Sequence, residues 1–529
     1  MGGAAVKREP NAANDIWNDQ KQGCLLSSQP ITIALMQVRR EPVEAAMGAT
    51  RQHPRVAIIG GGISGLAAAF KLRELAAVGG PALEVALFER GASLGHALGT
   101  VREDGFVMET GADSFLSEKP WALDLAKRLG LEPELIGTRE QFRKTHVVRD
   151  GHLVEIPEGF MLLAPTRFLP VFRSPLFSLR GKLRMALEPL IPRRRVGGDE
   201  SLASFVSRRV GREVLERVAQ PLMAGIHTAD PDSLSLEATM PRFIEMERRH
   251  GSLFRGLRAV TRPAASNGTS GARWGLFVSF RGGMRTLVDA LAARLDGCVR
   301  LGADVIALDR IHGGERWRLV LADNSAFEAE AVLLATPAFG AARLLEGCAP
   351  GLAHLLADIR YSSVATVNLA YRTSDCPHLP ESFGFVVPAI ERRKIIAATF
   401  SSTKFEGRAP EGAVLMRAFL GGALHEQMME LNEEAMVAAV REEFSALLGL
   451  NADPILARVR RWPNAMPQYS VGHLDRVTRI EREVLELPNL TLAGAAYRGV
   501  GVPDCVHSGE QAAQALFKRL AEAHVCSSA

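Results

Sequence analysis

A short apolar run entering three spaced glycines constrains this chain more than any other feature. Val56-Ala57-Ile58-Ile59 leads into Gly60-Gly61-Gly62-Ile63-Ser64-Gly65, and the Ala-rich stretch Leu66–Ala77 follows. An unbroken apolar tetrapeptide suits a strand buried on both faces, and the alanines suit a helix packed closely against it. A second run, Glu84-Val85-Ala86-Leu87-Phe88, ends at Glu89. Strand, Gly60-x-Gly62-x-x-Gly65, helix, strand and terminal acid together make a dinucleotide-binding fingerprint. Gly60 permits the tight turn, Gly62 lets a diphosphate approach the backbone, and Gly65 lets the helix close on the strand. The helix N-terminus offers free N–H groups and the positive end of its dipole to phosphate. Glu89 is suited to accept hydrogen bonds from a ribose diol.

The other end of the chain supplies a matching piece. Leu490-Thr491-Leu492-Ala493-Gly494 reads as a strand and Ala495–Val502 as a glycine-containing loop. A helix follows from Pro503, with Val506, Ala513, Leu516, Phe517 and Leu520 on one face. A fingerprint at the start of the recognisable domain and a second helix N-terminus near its end point to a permanently held cofactor. That favours FAD over NAD, the second helix N-terminus facing the flavin or its ribityl chain.

Composition excludes other classes. A chain of 529 residues exceeds one ordinary domain. Lys and Arg total 63 against 59 Asp and Glu, a net charge of +4, without the concentrated basic footprint of a nucleic-acid binder. Cys24, Cys298, Cys348, Cys376, Cys505 and Cys526 show no CxxC or metal-finger spacing. They read as reduced thiols of a cytoplasmic protein, with no metal site. The longest apolar candidates, Gly23–Val38 and Val56–Phe70, fall short of the ~18 residues needed to span a bilayer. Residues 1–53 carry early acids (Glu9, Asp15, Asp19) and no periodicity. They read as a disordered arm or a misassigned start, with Met36 and Met47 as alternative initiators.

Further stretches carry a family resemblance from about Arg55 to Arg519. They include Asp104–Phe115, Phe280-Arg281-Gly282-Gly283-Met284, Ala335-Thr336-Pro337, Pro467-Gln468-Tyr469-Ser470-Val471-Gly472-His473, and Leu492–Cys505. The chain resembles the flavin amine oxidase superfamily and, within it, the oxygen-dependent protoporphyrinogen oxidases. The resemblance implies an α/β, two-lobed, Rossmann-like FAD-binding fold with an inserted substrate domain and a helical, membrane-associating region. It assigns FAD contacts to Gly60, Gly61, Gly62, Ile63, Ser64, Gly65, Leu66, Glu89 and Arg90. Gly111, Ala112, Asp113, Ser114, Val305, Ala495, Val500, Gly501 and Val502 complete that set. One departure stands out. In Leu94-Gly95-His96-Ala97-Leu98-Gly99, His96 and Gly99 occupy positions where relatives carry a glycine and an arginine.

The implied organisation is an arm (1–53) and an FAD-binding domain in three pieces (54–137, 276–345, 476–529). A substrate-binding and helical region (138–275) and a second substrate-binding part (346–475) lie between them. The implied reaction is three dehydrogenations of protoporphyrinogen IX to protoporphyrin IX, with oxygen as acceptor and release of hydrogen peroxide. Coproporphyrinogen III is the alternative substrate, and a flavin amine oxidase or carotenoid desaturase a more distant one. The cofactor carries the chemistry, so no acid–base catalyst is assigned. Tyr469 and His473 are read as structural. Relatives place an arginine or lysine on the strand before the Asp-Gly turn, here Asp150-Gly151, so the resemblance implies Arg143 or Lys144 as the partner of a propionate. Val364–Leu369 and Phe383–Val386 are expected to form apolar walls. The basic, helical pattern of 138–260 suits peripheral contact with the cytoplasmic face of the inner membrane, with Arg193-Arg194-Arg195 a solvated loop. A homodimer is implied by the resemblance alone.

Overall fold

The computed structural model describes residues 53–78, 82–161, 163–194, 197–260 and 275–528. The expected arm, except its last residue, and the two initiator candidates lie outside them, as does Arg195.

A five-stranded parallel sheet runs in the order Val299–Leu301, Glu84–Glu89, Arg55–Ile59, Ala331–Leu334, Leu490–Leu492. It therefore draws on three distant stretches of chain. The strand Arg55–Ile59 is central, and successive side chains feed two different cores. Val56 and Ile58 pack with Leu87 and Leu333 against residues of the helices Ile63–Ala77, Arg285–Arg294 and Val502–Ser528. Ala57 and Ile59 face the other way, joining Phe88, Val332 and Leu334. That second core also takes up the antiparallel sheet Val305–Ile311, Arg316–Leu321, Ala326–Ala329. Burial on both faces is why Val56–Ile59 is apolar at every position rather than at every second one. Each fully buried leucine here contributes about 2 kcal/mol relative to exposure.

A mixed sheet of seven strands forms the second lobe, in the order Leu456–Pro467, Tyr361–Arg372, Ala413–Gly421, Ala397–Phe400, Gly384–Val386, Thr145–Arg149, His152–Glu155. The stretch read as helical from residue 138 thus begins with a β-hairpin. Val147 and Val148 favour extended backbone, and Asp150 (φ 50) and Gly151 (φ 79) supply the two left-handed residues of its turn. Helices dominate from Phe168 onward, and they share one core that includes Leu176, Phe205, Val214, Phe243 and Leu257.

One expectation needs correction. Along Val364–Leu369, Ala365, Val367 and Leu369 turn away with Phe444 into the core under helix Glu433–Leu448. Thr366 and Asn368 point instead toward the first lobe, as strand alternation requires. Arg194, like Arg193, is exposed and lies outside helix and strand, as expected of a solvated loop. Its N–H donates to Glu247 Oε1 (3.2 Å) and its guanidinium to the carbonyls of Gly198 and Asp199 (3.3 and 3.4 Å).

Candidate cofactor and active site

The glycine loop has the shape its residue types predict. Gly60 takes φ +113, and a Cβ there would stand 2.6 Å from the Ala335 carbonyl oxygen. A Cβ on Gly65 would collide with the Gly60 carbonyl, so the helix lies directly on the strand. Gly62 differs, because a Cβ there would meet nothing within 4 Å. The helix N-terminus therefore opens on free space at Gly62. Leu66 N–H bonds back to Gly62 O at 3.0 Å, leaving the amides of Ile63, Ser64 and Gly65 directed beyond the helix end. A diphosphate fits such a cradle.

Glu89 closes the far side. Its Oε2 accepts Gly61 N–H and its Oε1 accepts Gly91 N–H, each at 2.7 Å. Both oxygens keep a lone pair for ribose hydroxyls. Arg90 is exposed beside it. Ala303 N–H donates to Glu89 O (3.0 Å), which sets the buried Val305 behind the acid. The Ser64 hydroxyl donates to Cys505 O (2.9 Å), so this side chain ties the first helix to the last.

The Gly111–Ser114 loop is held from the second lobe. Trp462 Nε1 and Thr366 Oγ1 both donate to Thr110 O (2.7 and 2.9 Å), Asn368 Nδ2 to Glu109 O (3.2 Å), and Arg417 to Gly111 O (2.7 Å). Asp113 bonds Lys404 Nζ at 3.0 Å and Arg417 Nη2 at 3.0 Å, and accepts from Ser114 Oγ at 2.7 Å. Burial works against its ionisation, but the Lys404 and Arg417 charges outweigh it and hold the carboxyl well below the usual range. Behind the loop Glu109 takes Met284 N–H (2.9 Å) and Thr100 Oγ1 (2.7 Å), and burial raises its pKa despite Arg408.

The C-terminal loop is organised by one tyrosine. Tyr469 Oη donates to Ala495 O (2.6 Å) and accepts Gly499 N–H (2.8 Å), bracketing the turn before Val500–Val502. Its ring stacks on His473 at 4.0 Å, and His473 Nε2 lies 2.8 Å from Tyr497 O. Burial brings His473 down to about 4 and raises the Tyr469 phenol, so both are neutral near pH 7. The two residues hold backbone rather than move protons. At the start of the last helix Lys119 Nζ meets Asp504 at 2.6 and 2.7 Å. His227, on helix Gln220–His227, is brought to about 4 by burial and by the Lys119 charge.

These segments converge: Gly95 N–H bonds Gly61 O (2.9 Å), Ala112 N–H bonds Ala97 O (3.0 Å), and Ser64 reaches Cys505. Arg143 and Lys144 are not brought to the site. Their side chains lie on the surface, paired with Glu140 (3.3 Å) and Glu155 (3.1 Å). Sequence reasoning passed over Lys119, Lys404, Arg417 and Trp462. Only Arg417 carried a local signal, a lone charge inside the run Val414-Leu415-Met416-Arg417-Ala418-Phe419-Leu420.

Comparison with known proteins agrees with this architecture. Residues 63–517 match the model of flavin containing amine oxidoreductases. The "Coproporphyrinogen III oxidase" of Bacillus subtilis is 34% identical over 86% of this chain and 96% of its own length. That of Propionibacterium freudenreichii is 32% identical over 89% and 92%. A crystal structure of a putative protoporphyrinogen oxidase from Exiguobacterium superposes with a TM-score of 0.78 at 30% identity, covering 88% of this chain and 99% of that one. The chain belongs to the flavin-containing amine oxidoreductase family, among the porphyrinogen oxidases.

Proposed function

We propose that this chain binds FAD and oxidises coproporphyrinogen III to coproporphyrin III, with protoporphyrinogen IX as the second candidate substrate. The observation that carries the order is the 34% identity to a coproporphyrinogen III oxidase along almost that protein's whole length. It reverses the substrate order drawn from the sequence. FAD supplies the hydride acceptor when bound. The cradle at Gly62, the Glu89 carboxylate and the loops at Gly111–Ser114 and Ala495–Val502 are proposed to hold it.

The protein's own part is orientation. His227 and His473, both at about 4, and Tyr469, raised by burial, offer no proton transfer partner at neutral pH. That suits a reaction driven by aromatisation, in which pyrrole protons pass to solvent. Lys119, half-exposed and paired with Asp504 beside the Gly499–Asp504 loop, is a cation a propionate would reach there by competing with that carboxylate. Full oxidation removes six electrons and six hydrogens, so three molecules of peroxide should form per porphyrin in air. A ratio near one or zero at complete porphyrin formation would contradict the proposal.

A peripheral membrane role belongs to the same reading. Helices Phe168–Arg173 and Leu179–Ala186 expose Leu169, Phe172, Leu179 and Leu183, and Leu187 and Leu190 continue the patch. Arg167, Arg173 and Arg180 are exposed around it. Among the described residues no helix is long and apolar enough to cross a membrane. Apolar side chains ringed by cations suit an anionic lipid surface. The protein is expected to cosediment with phosphatidylglycerol vesicles and to release in high salt. Leu169→Asp/Phe172→Asp should abolish the association, and equal binding to neutral vesicles would sink the idea.

A further inference from the structure

The turn 95–97 bridges the two halves of the cofactor groove. Gly95 N–H bonds Gly61 O in the glycine loop (2.9 Å), and Ala97 O accepts Ala112 N–H in the second loop (3.0 Å). A dinucleotide running from one loop to the other must pass this turn. His96 stands on it with φ 45, a left-handed conformation that histidine, asparagine and aspartate adopt more readily than other non-glycine residues. Its side chain is exposed, and among the described residues its ring makes no hydrogen bond. One face is supported by Trp462, with ring centroids 5.1 Å apart, and the Arg460 guanidinium lies 4.8 Å from the same indole. Trp462 is itself fixed by its bond to Thr110 O (2.7 Å). One face of the imidazole thus packs on Trp462, while its ring nitrogens, on the turn that links the two loops, bond no described residue.

We propose that His96, with Arg460 beside it, is a hydrogen-bond donor to the diphosphate of the bound dinucleotide. The inference rests on the flavin reading above and adds a contact that none of its glycines or acids provides. The charged groups facing His96 are Glu89, Arg90 and Arg460. Desolvation of the ring face against Trp462 lowers its pKa, Glu89 raises it, and Arg460 and Arg90 lower it further, with a net fall, so the imidazole of the free protein is mostly neutral at pH 7. Two phosphate charges arriving at that ring raise its pKa. Binding then takes up a proton between the free and bound values, and the cofactor is held more tightly at lower pH.

The test strips the flavin and titrates FAD into the apoprotein between about pH 6 and about pH 8.5, the range in which histidine titrates. The parent should show a Kd that rises with pH. His96→Asn keeps a residue tolerant of left-handed backbone, and His96→Gly removes the side chain at a conformation glycine adopts freely. Both should fold, bind about tenfold more weakly at the acid end and lose the pH slope. The 31P resonances of bound FAD should shift with pH in the parent and not in the variants. Identical Kd values and slopes in parent and variants would overturn the role of His96 while leaving flavin binding intact. Failure of every form to bind FAD would overturn the flavin reading itself.

Discussion

Gly65→Ala should purify without flavin and unfold at a lower temperature than the parent. Its methyl group would collide with the Gly60 carbonyl, a backbone atom that cannot swing aside. Helix Ile63–Ala77 must then lift from the central strand, opening the layer that buries Val56, Ile58 and Leu66. Overpacking of this kind costs about 3 kcal/mol, which in affinity is about a hundredfold. Gly62→Ala is the informative partner. Its methyl meets nothing within 4 Å, so the apoprotein should melt like the parent. The same methyl fills the space assigned to the diphosphate, so FAD should bind far more weakly. Absorbance of flavin per protein after reconstitution, read beside thermal unfolding of the apoprotein, separates the two effects. Parent-like flavin content in Gly62→Ala would remove the diphosphate from this cradle.

The second large effect lies among the helices of the region Phe168–Val260. Arg209 and Glu188 are both fully buried and paired, and Arg209 also donates to Ile191 O (2.9 Å) and Gly251 O (3.0 Å). Glu188 in turn accepts Leu253 N–H (2.8 Å) and Ser252 Oγ (2.5 Å), capping helix Leu253–Val260 at its positive end. One ion pair thus joins the turn at 188–190, helix Leu202–Arg209 and helix Leu253–Val260. Arg209→Met leaves Glu188 buried without its counter-charge and should destabilise the protein by about 3–5 kcal/mol. Arg209→Met/Glu188→Gln removes the stranded charge and should recover part of that loss. Chemical unfolding of the single and double variants measures both. Additive losses would mean the two groups are not coupled.

The parts of this molecule legible in its sequence are those whose physics is local. The strand–glycine–helix–strand unit from Arg55 to Glu89 is contiguous, and each residue type has one conformational reason to be there. The strand at Leu490 and the apolar face of the last helix could be read in the same way, from a short run and a helical period. The second lobe could not. Gly384–Val386 pairs in parallel with Thr145–Arg149, and neither short strand carries enough alternation to announce its neighbour. Tyr469 could be seen as an element of interest, but its two hydrogen bonds depend on a loop that arrives from residues 495–499. Lys404 and Arg417 meet Asp113 only because the lobes fold together. Arg143 and Lys144 stand near the position before the Asp150-Gly151 turn where relatives carry a cation. At the start of a solvent-facing hairpin, each finds an acid of its own instead.

The proposed activity is tested most directly with FAD-loaded protein in air, given coproporphyrinogen III and protoporphyrinogen IX in separate reactions and followed by porphyrin fluorescence. Coproporphyrin should appear well above the autoxidation blank and faster than protoporphyrin. Fluorescence no higher than the blank for both substrates, with the flavin demonstrably bound, would contradict a porphyrinogen oxidase of either kind.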